Sequence, residues 1–119
     1  MTKIGVALAL TALLALLAVA TASGATPPRL IGTVGFGQIT LKDLRGVTFK
    51  RLKAGVYTVS IVDRSKGQNF HLRGPGINLS TKVAFEGVKT WTVRFRKGTT
   101  VRYYSDRAPR MLKGSFRVR

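Results

Sequence analysis

The 119-residue chain contains no cysteine, a single histidine and only four acidic residues. The absence of cysteine excludes disulfide bonds, thiolate metal ligands and thiol nucleophiles. Nucleophilic catalysis requires a base beside the nucleophile, and His71 is the sole imidazole for that role. A pair of catalytic carboxylates is not indicated either, because the acids are scattered along the chain: Asp43, Asp63, Glu86 and Asp106. We therefore predict that the protein is not an enzyme.

Positive charge is the strongest feature of the composition. The chain carries 21 Lys and Arg residues, and its formal net charge is +17. Such a surface attracts polyanions, and the expected partners are an anionic envelope polymer, an anionic lipid surface or an acidic protein. The alternative is that the charge only keeps the protein soluble, and composition alone does not separate the two interpretations.

The N-terminal residues have the pattern of a secretory signal peptide. Lys3 precedes an almost wholly apolar run from residue 4 to residue 22, and the small residues of "TASGA" and the helix-breaking "TPPR" follow. We predict a signal peptide over residues 1–25, cleaved after Ala25 or, as the second choice, after Ala22. The alternative is an uncleaved membrane anchor, since the run is long enough to span a bilayer. Either way, we expect the protein to be secreted or extracytoplasmic.

The remaining 94 residues (119 minus 25) are enough for one domain with a modest core. Residues 26–37 form a Gly- and Pro-rich lead-in, with a first edge strand expected around Leu30–Val34. The lead-in contains "GTVGFGQ", which lacks the following helix that a phosphate-binding loop needs. We interpret it as a flexible segment or a bend in a strand.

Residues 38–119 alternate in hydrophobicity with a period of two, in short segments separated by turns. These segments are "QITLKD", "GVYTVSIVD", "NFHLRGPG", "TWTVRFRKG", "TTVRYYS" and "GSFRVR". No run after Ala25 has helical periodicity of useful length. The pattern predicts an all-β domain over residues 38–119, a single antiparallel β-sandwich or barrel.

The same alternation places a set of arginines on outward positions of the C-terminal strands. If these strands were neighbours, their side chains would form one guanidinium-rich face suited to phosphate, sulfate or carboxylate groups. A solvated outer surface is the alternative. Sequence-specific binding of nucleic acid is not indicated, because no recognition helix or aromatic stacking platform is evident. The candidate polyanion-binding residues are Arg94, Arg96, Arg102, Arg117 and Arg119.

The order and spacing of several short motifs resemble the small secreted plastocyanin-like (cupredoxin) domains of bacteria. The motifs are "NFHLRGPG", "TWTV", the turn at Gly98, Asp106 and "GSFRV", and the resemblance runs from Ile39 to Val118. It implies a Greek-key β-sandwich. It also implies a single copper ion for electron transfer, held by two His, one Cys and a weak axial Met.

The ligand pattern of that family is not kept in this chain. By the resemblance, the first His falls on Gln68, the Cys on Ser105, the second His on Ala108 and the Met on Leu112. We therefore expect a degenerate copper site without a metal cofactor, in a basic, monomeric binding domain.

The alternative is a plastocyanin-like electron-transfer protein with an unusual copper site. In that case the possible residual metal contacts are His71 and Met111, although His71 should face the other side of the strand from Gln68 and Met111 is one position early.

Overall fold

A computed structural model describes residues 26–119, and the predicted signal peptide lies outside these residues. The described part contains nine β-strands: β1 (Arg29–Gly35), β2 (Gln38–Asp43), β3 (Arg51–Leu52), β4 (Gly55–Asp63), β5 (His71–Gly74), β6 (Ile77–Ser80), β7 (Gly87–Phe95), β8 (Thr100–Tyr104) and β9 (Lys113–Val118). Residues 26–119 contain no helix that is long and apolar enough to span a membrane. The all-β prediction is confirmed.

The strands form two sheets that pack face to face. The first sheet has the order β2-β1-β4-β7, and the second has the order β3-β9-β8-β5-β6. The sandwich is therefore confirmed, but both sheets are mixed, because β1 runs parallel to β4 and β3 runs parallel to β9. Both sheets and the core between them lie within residues 26–119.

The first strand lies inside a sheet, whereas the sequence predicted an edge strand. β1 pairs with β2 on one side and with β4 on the other. Its side chains Leu30 and Val34 are buried in the core, opposite Val59 and Asp63 of β4. The apolar alternation of a short lead-in strand shows which residues point inward, but it does not show how many neighbours the strand has.

The inward positions of each strand build the core as the alternation predicted. Val93 and Phe95 of β7 are buried, while the intervening Arg94 is exposed. The ring of Phe95 packs edge-on against Phe116 of β9, with ring centroids 5.3 Å apart. Each such side chain contributes about 1.5–3 kcal/mol by burial, so the contact between the two sheets is a major source of stability.

Gly114 is a residue of β9 that lies against an aromatic ring of the neighbouring strand. It pairs with Tyr103 of β8, and a Cβ at position 114 would overlap the Tyr103 ring. That ring stacks on Phe70 with centroids 5.6 Å apart and planes 6° apart. Glycine is therefore required here by the close approach of an aromatic ring.

Gly114→Ala is expected to destabilise the domain by about 1–3 kcal/mol, because overpacking displaces the Tyr103 ring from its stack on Phe70. Urea unfolding of residues 26–119 measures this difference. The control is Gly67→Ala, since a Cβ at position 67 meets only the Ser65 hydroxyl at 3.9 Å. Equal stability of the Gly114→Ala variant and the wild type would show that the Tyr103 ring moves without cost.

Candidate functional site

The segment between β8 and β9 forms a compact loop closed by its own backbone hydrogen bonds. The Ser105 N–H donates to the carbonyl of Leu112 at 3.0 Å, and the Ala108 N–H donates to the carbonyl of Ser105 at 3.1 Å. The Leu112 N–H donates to the Ala108 carbonyl at 2.9 Å. Three of the four positions that the resemblance assigns to former copper ligands thus lie in one short turn.

The fourth position, Gln68, meets this loop through a side-chain hydrogen bond. The Ser105 hydroxyl donates to Oε1 of Gln68, and it accepts the backbone N–H of Asn69 at 3.3 Å. Ser105 is fully buried and Leu112 is 8% exposed, while Ala108 is partly exposed. The structure therefore brings Gln68 and Ser105 together, and the Ser105 hydroxyl is hydrogen-bonded to both Gln68 and Asn69.

Asn69 connects this pair to two further segments. Its side-chain amide donates to the carbonyl of Thr81 at 3.0 Å and to Oδ2 of Asp106 at 2.7 Å. Its Oδ1 accepts the backbone N–H of Asp106 at 2.8 Å. Because Asn69 is buried, these bonds replace the water that the amide would otherwise need. The sequence motif contained Asn69, but its structural role was not predicted.

His71 lies on the outer face of the second sheet. Its Nδ1 is 2.9 Å from Oδ1 of Asp106, and its Nε2 is 2.6 Å from Oδ1 of Asn78. The imidazole packs against the Tyr104 ring with centroids 4.9 Å apart. His71 therefore points away from the Gln68–Ser105 pair, and both of its nitrogens already have polar partners. Met111 is 87% exposed.

The two acids near the loop have pKa values that are shifted in opposite directions. Burial tends to raise the pKa of Asp106, but hydrogen bonds from His71 and Asn69, together with the charge of His71, lower it below its usual range. Burial raises the pKa of Asp63, and hydrogen bonds from the Ser65 N–H and the Thr81 hydroxyl oppose part of that rise. Because the pKa of Asp106 is lowered in the folded protein, the stability that Asp106 contributes is lost as pH falls through that pKa. Because the pKa of Asp63 is raised, ionisation of Asp63 opposes folding as pH rises towards and through that pKa.

Few side chains in this region could bind a metal ion. Across residues 26–119, no three His, Cys, Asp or Glu side chains lie together in a way that could hold a metal ion. At the four positions of the resemblance, the groups are an amide, a hydroxyl, a methyl and an isobutyl group. This set contains no thiolate and no imidazole, the ligands that define a type-1 copper centre, and therefore does not fit one.

The five arginines predicted to form one face are divided between the two sheets. Arg94 belongs to β7, which pairs with β4 in the first sheet, and Arg96 follows it. Arg102, Arg117 and Arg119 lie on or directly after β8 and β9 of the second sheet. The expectation of a single face was therefore wrong, because the chain changes sheets at the turn containing Gly98.

Four arginines do form a continuous line across the outer face of the second sheet, and we call them the arginine strip. Arg73 of β5 lies directly opposite Arg102 of β8, and Arg117 of β9 lies directly opposite Arg51 of β3. Arg102 pairs with Ser115, so Arg117 is its diagonal neighbour. Adjacent strands are about 5 Å apart and diagonal neighbours about 7–8 Å apart. All four side chains are exposed.

Arg73 also connects the strip to the arginines of the first sheet. A groove of about 690 Å³ separates the edge strands β6 and β7, and Arg73, Arg94 and Arg96 line it. At the other end of the strip, a recess of about 360 Å³ is lined by Arg51, Arg117, Lys97 and Arg119. The predicted set of five arginines did not include Arg73 or Arg51, although the alternation in "HLRG" places Arg73 on the same face as His71.

Comparison with known proteins yields likenesses of structure alone. No protein-family model matches the chain, and no curated protein is significantly similar to it. The solved structures that it resembles include a multi-copper oxidase from Pediococcus acidilactici, at a TM-score of 0.49 and 9% identity over 82% of this chain. They also include an oxidised mutant of amicyanin, at a TM-score of 0.47 and 17% identity over 81% of this chain and 95% of that one.

A further multicopper oxidase matches at a TM-score of 0.41 and 12% identity, over 81% of this chain and 46% of that one. The chain spans only 27% of the length of the Pediococcus acidilactici oxidase. All three likenesses have TM-scores below 0.5. At such identities and TM-scores, they assign neither an activity nor a metal to this chain.

Ser105→Ala is expected to lower the free energy of unfolding by about 1–3 kcal/mol, because the buried N–H of Asn69 loses its hydroxyl acceptor. Urea unfolding of residues 26–119 measures the loss. Ser115→Ala, at an exposed position of β9, is the matched control and should change stability by no more than about 0.5 kcal/mol. If the two variants are equally stable, the Ser105 hydroxyl does not hold this loop.

Proposed function

We propose that this chain is a copper-free, cupredoxin-like binding domain that acts outside the cytoplasm on an anionic polymer of the cell envelope. The arginine strip supplies the binding surface. The observation that carries the proposal is the direct opposition of arginines, Arg73 to Arg102 and Arg51 to Arg117, on one exposed sheet face. The extracytoplasmic location rests on the apolar N-terminal segment and is part of the proposal.

Opposed arginines are costly unless an anion lies between them. Like charges directly opposite each other on neighbouring strands destabilise a sheet. For scale, a favourable cross-strand pair contributes roughly 0.2–1 kcal/mol. In residues 26–119, the carboxylates that contact a basic side chain are Asp43, beside Arg45, and Asp106, beside His71, so no carboxylate compensates the strip. A bound polyanion would remove this repulsion, and guanidinium groups would bind its phosphate, sulfate or carboxylate groups in a bidentate manner.

The shape of the strip favours a polymer over a small ligand. Its arginines follow one another across four adjacent strands, β5, β8, β9 and β3, on a sheet surface. A regular row of charges at intervals of about 5–8 Å suits a chain with repeated anionic groups. The charge is also spread along the row and does not converge on one point.

The donor chemistry of the loop supports the copper-free part of the proposal. The hydroxyl of Ser105 does not ionise to replace a thiolate, and it is already bonded to Gln68 and Asn69. Both nitrogens of His71 have partners on the outer face of the sheet. We also propose a non-catalytic role. The hydrogen-bond partners of His71, the only imidazole, are the carboxylate of Asp106 and the amide of Asn78. Neither group is a nucleophile that His71 could activate as a base.

Removing three charges from the strip is expected to weaken binding to heparin, used as the probe polyanion, by about tenfold or more at low salt. The variant replaces Arg73, Arg102 and Arg117 with Gln. The slope of log affinity against log salt should fall by about one for each lost contact. Affinity measurements on residues 26–119 over a salt series test both quantities.

The matched control removes the same number of charges outside the strip: Lys66→Gln, Lys82→Gln and Lys89→Gln. Its affinity should stay within about threefold of the wild type, because unpaired distant charges act only through a screened field. Equal losses in the two variants would show that net charge, and not the strip, binds the polymer. Tighter binding of the wild type to poly-glutamate than to heparin would instead favour an acidic protein.

Stability provides an independent readout of the same strip variant. Without polyanion, it should unfold at a higher temperature than the wild type, because two opposed arginine pairs are relieved. The control variant should show no such gain. If the strip is only a solvated face without a partner, the strip variant should gain stability but lose no affinity for heparin. That combination would overturn the proposed function.

A further inference from the structure

The turn between β1 and β2 holds a phenylalanine in a conformation that its side chain disfavours. Gly35 pairs with Gln38, so Phe36 and Gly37 form a two-residue hairpin loop, with φ values of 53° and 73°. Two positive φ values are typical of a type I′ turn, where Asn-Gly is preferred. A bulky residue at positive φ is an outlier. The Phe36 side chain is also 84% exposed, so packing within the fold does not offset this strain.

Phe36 lies at the same end of the sandwich as the 105–112 loop. β1 and β4 run parallel and end together, and the Arg64 N–H donates to the Val34 carbonyl at 2.9 Å. The segment that follows β4 reaches the loop through the hydrogen bonds of Asn69 with Asp106. We call this end of the molecule the loop end.

The loop end combines exposed apolar side chains with positive charge. Three of the five large hydrophobic side chains that are exposed in residues 26–119 lie there, namely Phe36, Val88 and Met111. Four cations are exposed on loops at the same end: Arg64 and Lys66 between β4 and β5, and Arg107 and Arg110 in the 105–112 loop.

Two acidic residues, Asp106 and Glu86, are exposed at the loop end. Asp63 is buried, and Asp106 is bonded to His71 and Asn69. Glu86 is the one exposed acid there without a hydrogen bond or ion pair among the described residues. The loop end is therefore basic around its apolar tips.

From these features we infer that the loop end docks on an anionic lipid surface, with Phe36 and Met111 inserted at the boundary between headgroups and acyl chains. Apolar side chains on projecting turns, flanked by Lys and Arg, combine the two attractions that hold peripheral proteins on membranes. A polyanion in water would gain nothing from Phe36. The groove and the recess described above are lined by other residues, so insertion into a bilayer fits the projecting tips better than capture of a ligand.

The inference is independent of the polymer-binding proposal, because the two surfaces share no residue. The arginine strip lies across the middle of the second sheet, whereas Phe36 and Met111 lie in connecting turns at one end. Loss of polymer binding would leave vesicle binding in place, and the reverse also holds. Each activity therefore has its own variants and its own readout.

Phe36→Asn is expected to weaken binding to anionic vesicles by about tenfold or more, since the ring that inserts is removed. The probe is a vesicle of equal parts phosphatidylcholine and phosphatidylglycerol, with pure phosphatidylcholine for comparison. Co-sedimentation of residues 26–119 measures the partition coefficient. Met111→Gln, in a different loop, should weaken binding about threefold. The wild type should bind pure phosphatidylcholine far more weakly, because the cations then lack anionic headgroups.

The control is Leu44→Asn, because Leu44 is 69% exposed and follows β2 at the opposite end of the sandwich. It should bind vesicles like the wild type. Thermal unfolding separates docking from folding, since Phe36→Asn creates the Asn-Gly sequence of a type I′ turn and should melt above the wild type. A more stable variant that still binds anionic vesicles like the wild type overturns the inference. Equal loss in the Leu44→Asn variant would also overturn it.

Discussion

The hydrogen bonds of Asn69 are the interaction on which the loop end of this domain depends. One buried side chain joins the segment after β4, the carbonyl of Thr81 and both the backbone and the carboxylate of Asp106. Asp106 in turn holds His71 on the outer face of the second sheet. The position of the 105–112 loop and the orientation of the only imidazole thus follow from the satisfaction of one amide, which would be costly to leave unpaired.

Much of this arrangement could be predicted from the sequence because β-strands alternate strictly. The inward positions of β7, β8 and β9 agree with the structure. Alternation states whether a side chain faces in or out, but it does not state to which sheet a strand belongs. For that reason Arg94 was placed on the wrong face, and the partnership of Arg73 with Arg102 was missed.

Long-range contacts explain the remaining differences between expectation and structure. Nothing local in "TPPRLIGTVG" shows that β1 runs parallel to β4, because that pairing joins segments about thirty residues apart. Likewise, the requirement for glycine at position 114 comes from the Tyr103 ring on a neighbouring strand. The sequence shows that Phe36 lies between two glycines. Its positive φ value and its position at the same end as the 105–112 loop are evident only from the structure.

Taken with the proposed function, these features separate the framework of the domain from its binding chemistry. The core of two facing sheets tolerates unfavourable choices at the surface, such as opposed arginines on the strip and phenylalanine in a type I′ turn. The positions that the resemblance assigns to copper ligands carry hydrogen bonds and packing, while the groups that remain free to bind a partner are cationic and exposed.

The most direct test of this account is the midpoint of thermal unfolding of residues 26–119, measured against increasing copper and against increasing heparin. A ligand that binds only the folded state raises the midpoint, and the rise grows with the logarithm of ligand concentration relative to Kd. We predict that heparin raises the midpoint and that stoichiometric copper leaves it unchanged, in the wild type and in the His71→Ala variant. A copper-dependent rise in the wild type that disappears in the His71→Ala variant would contradict the central claim.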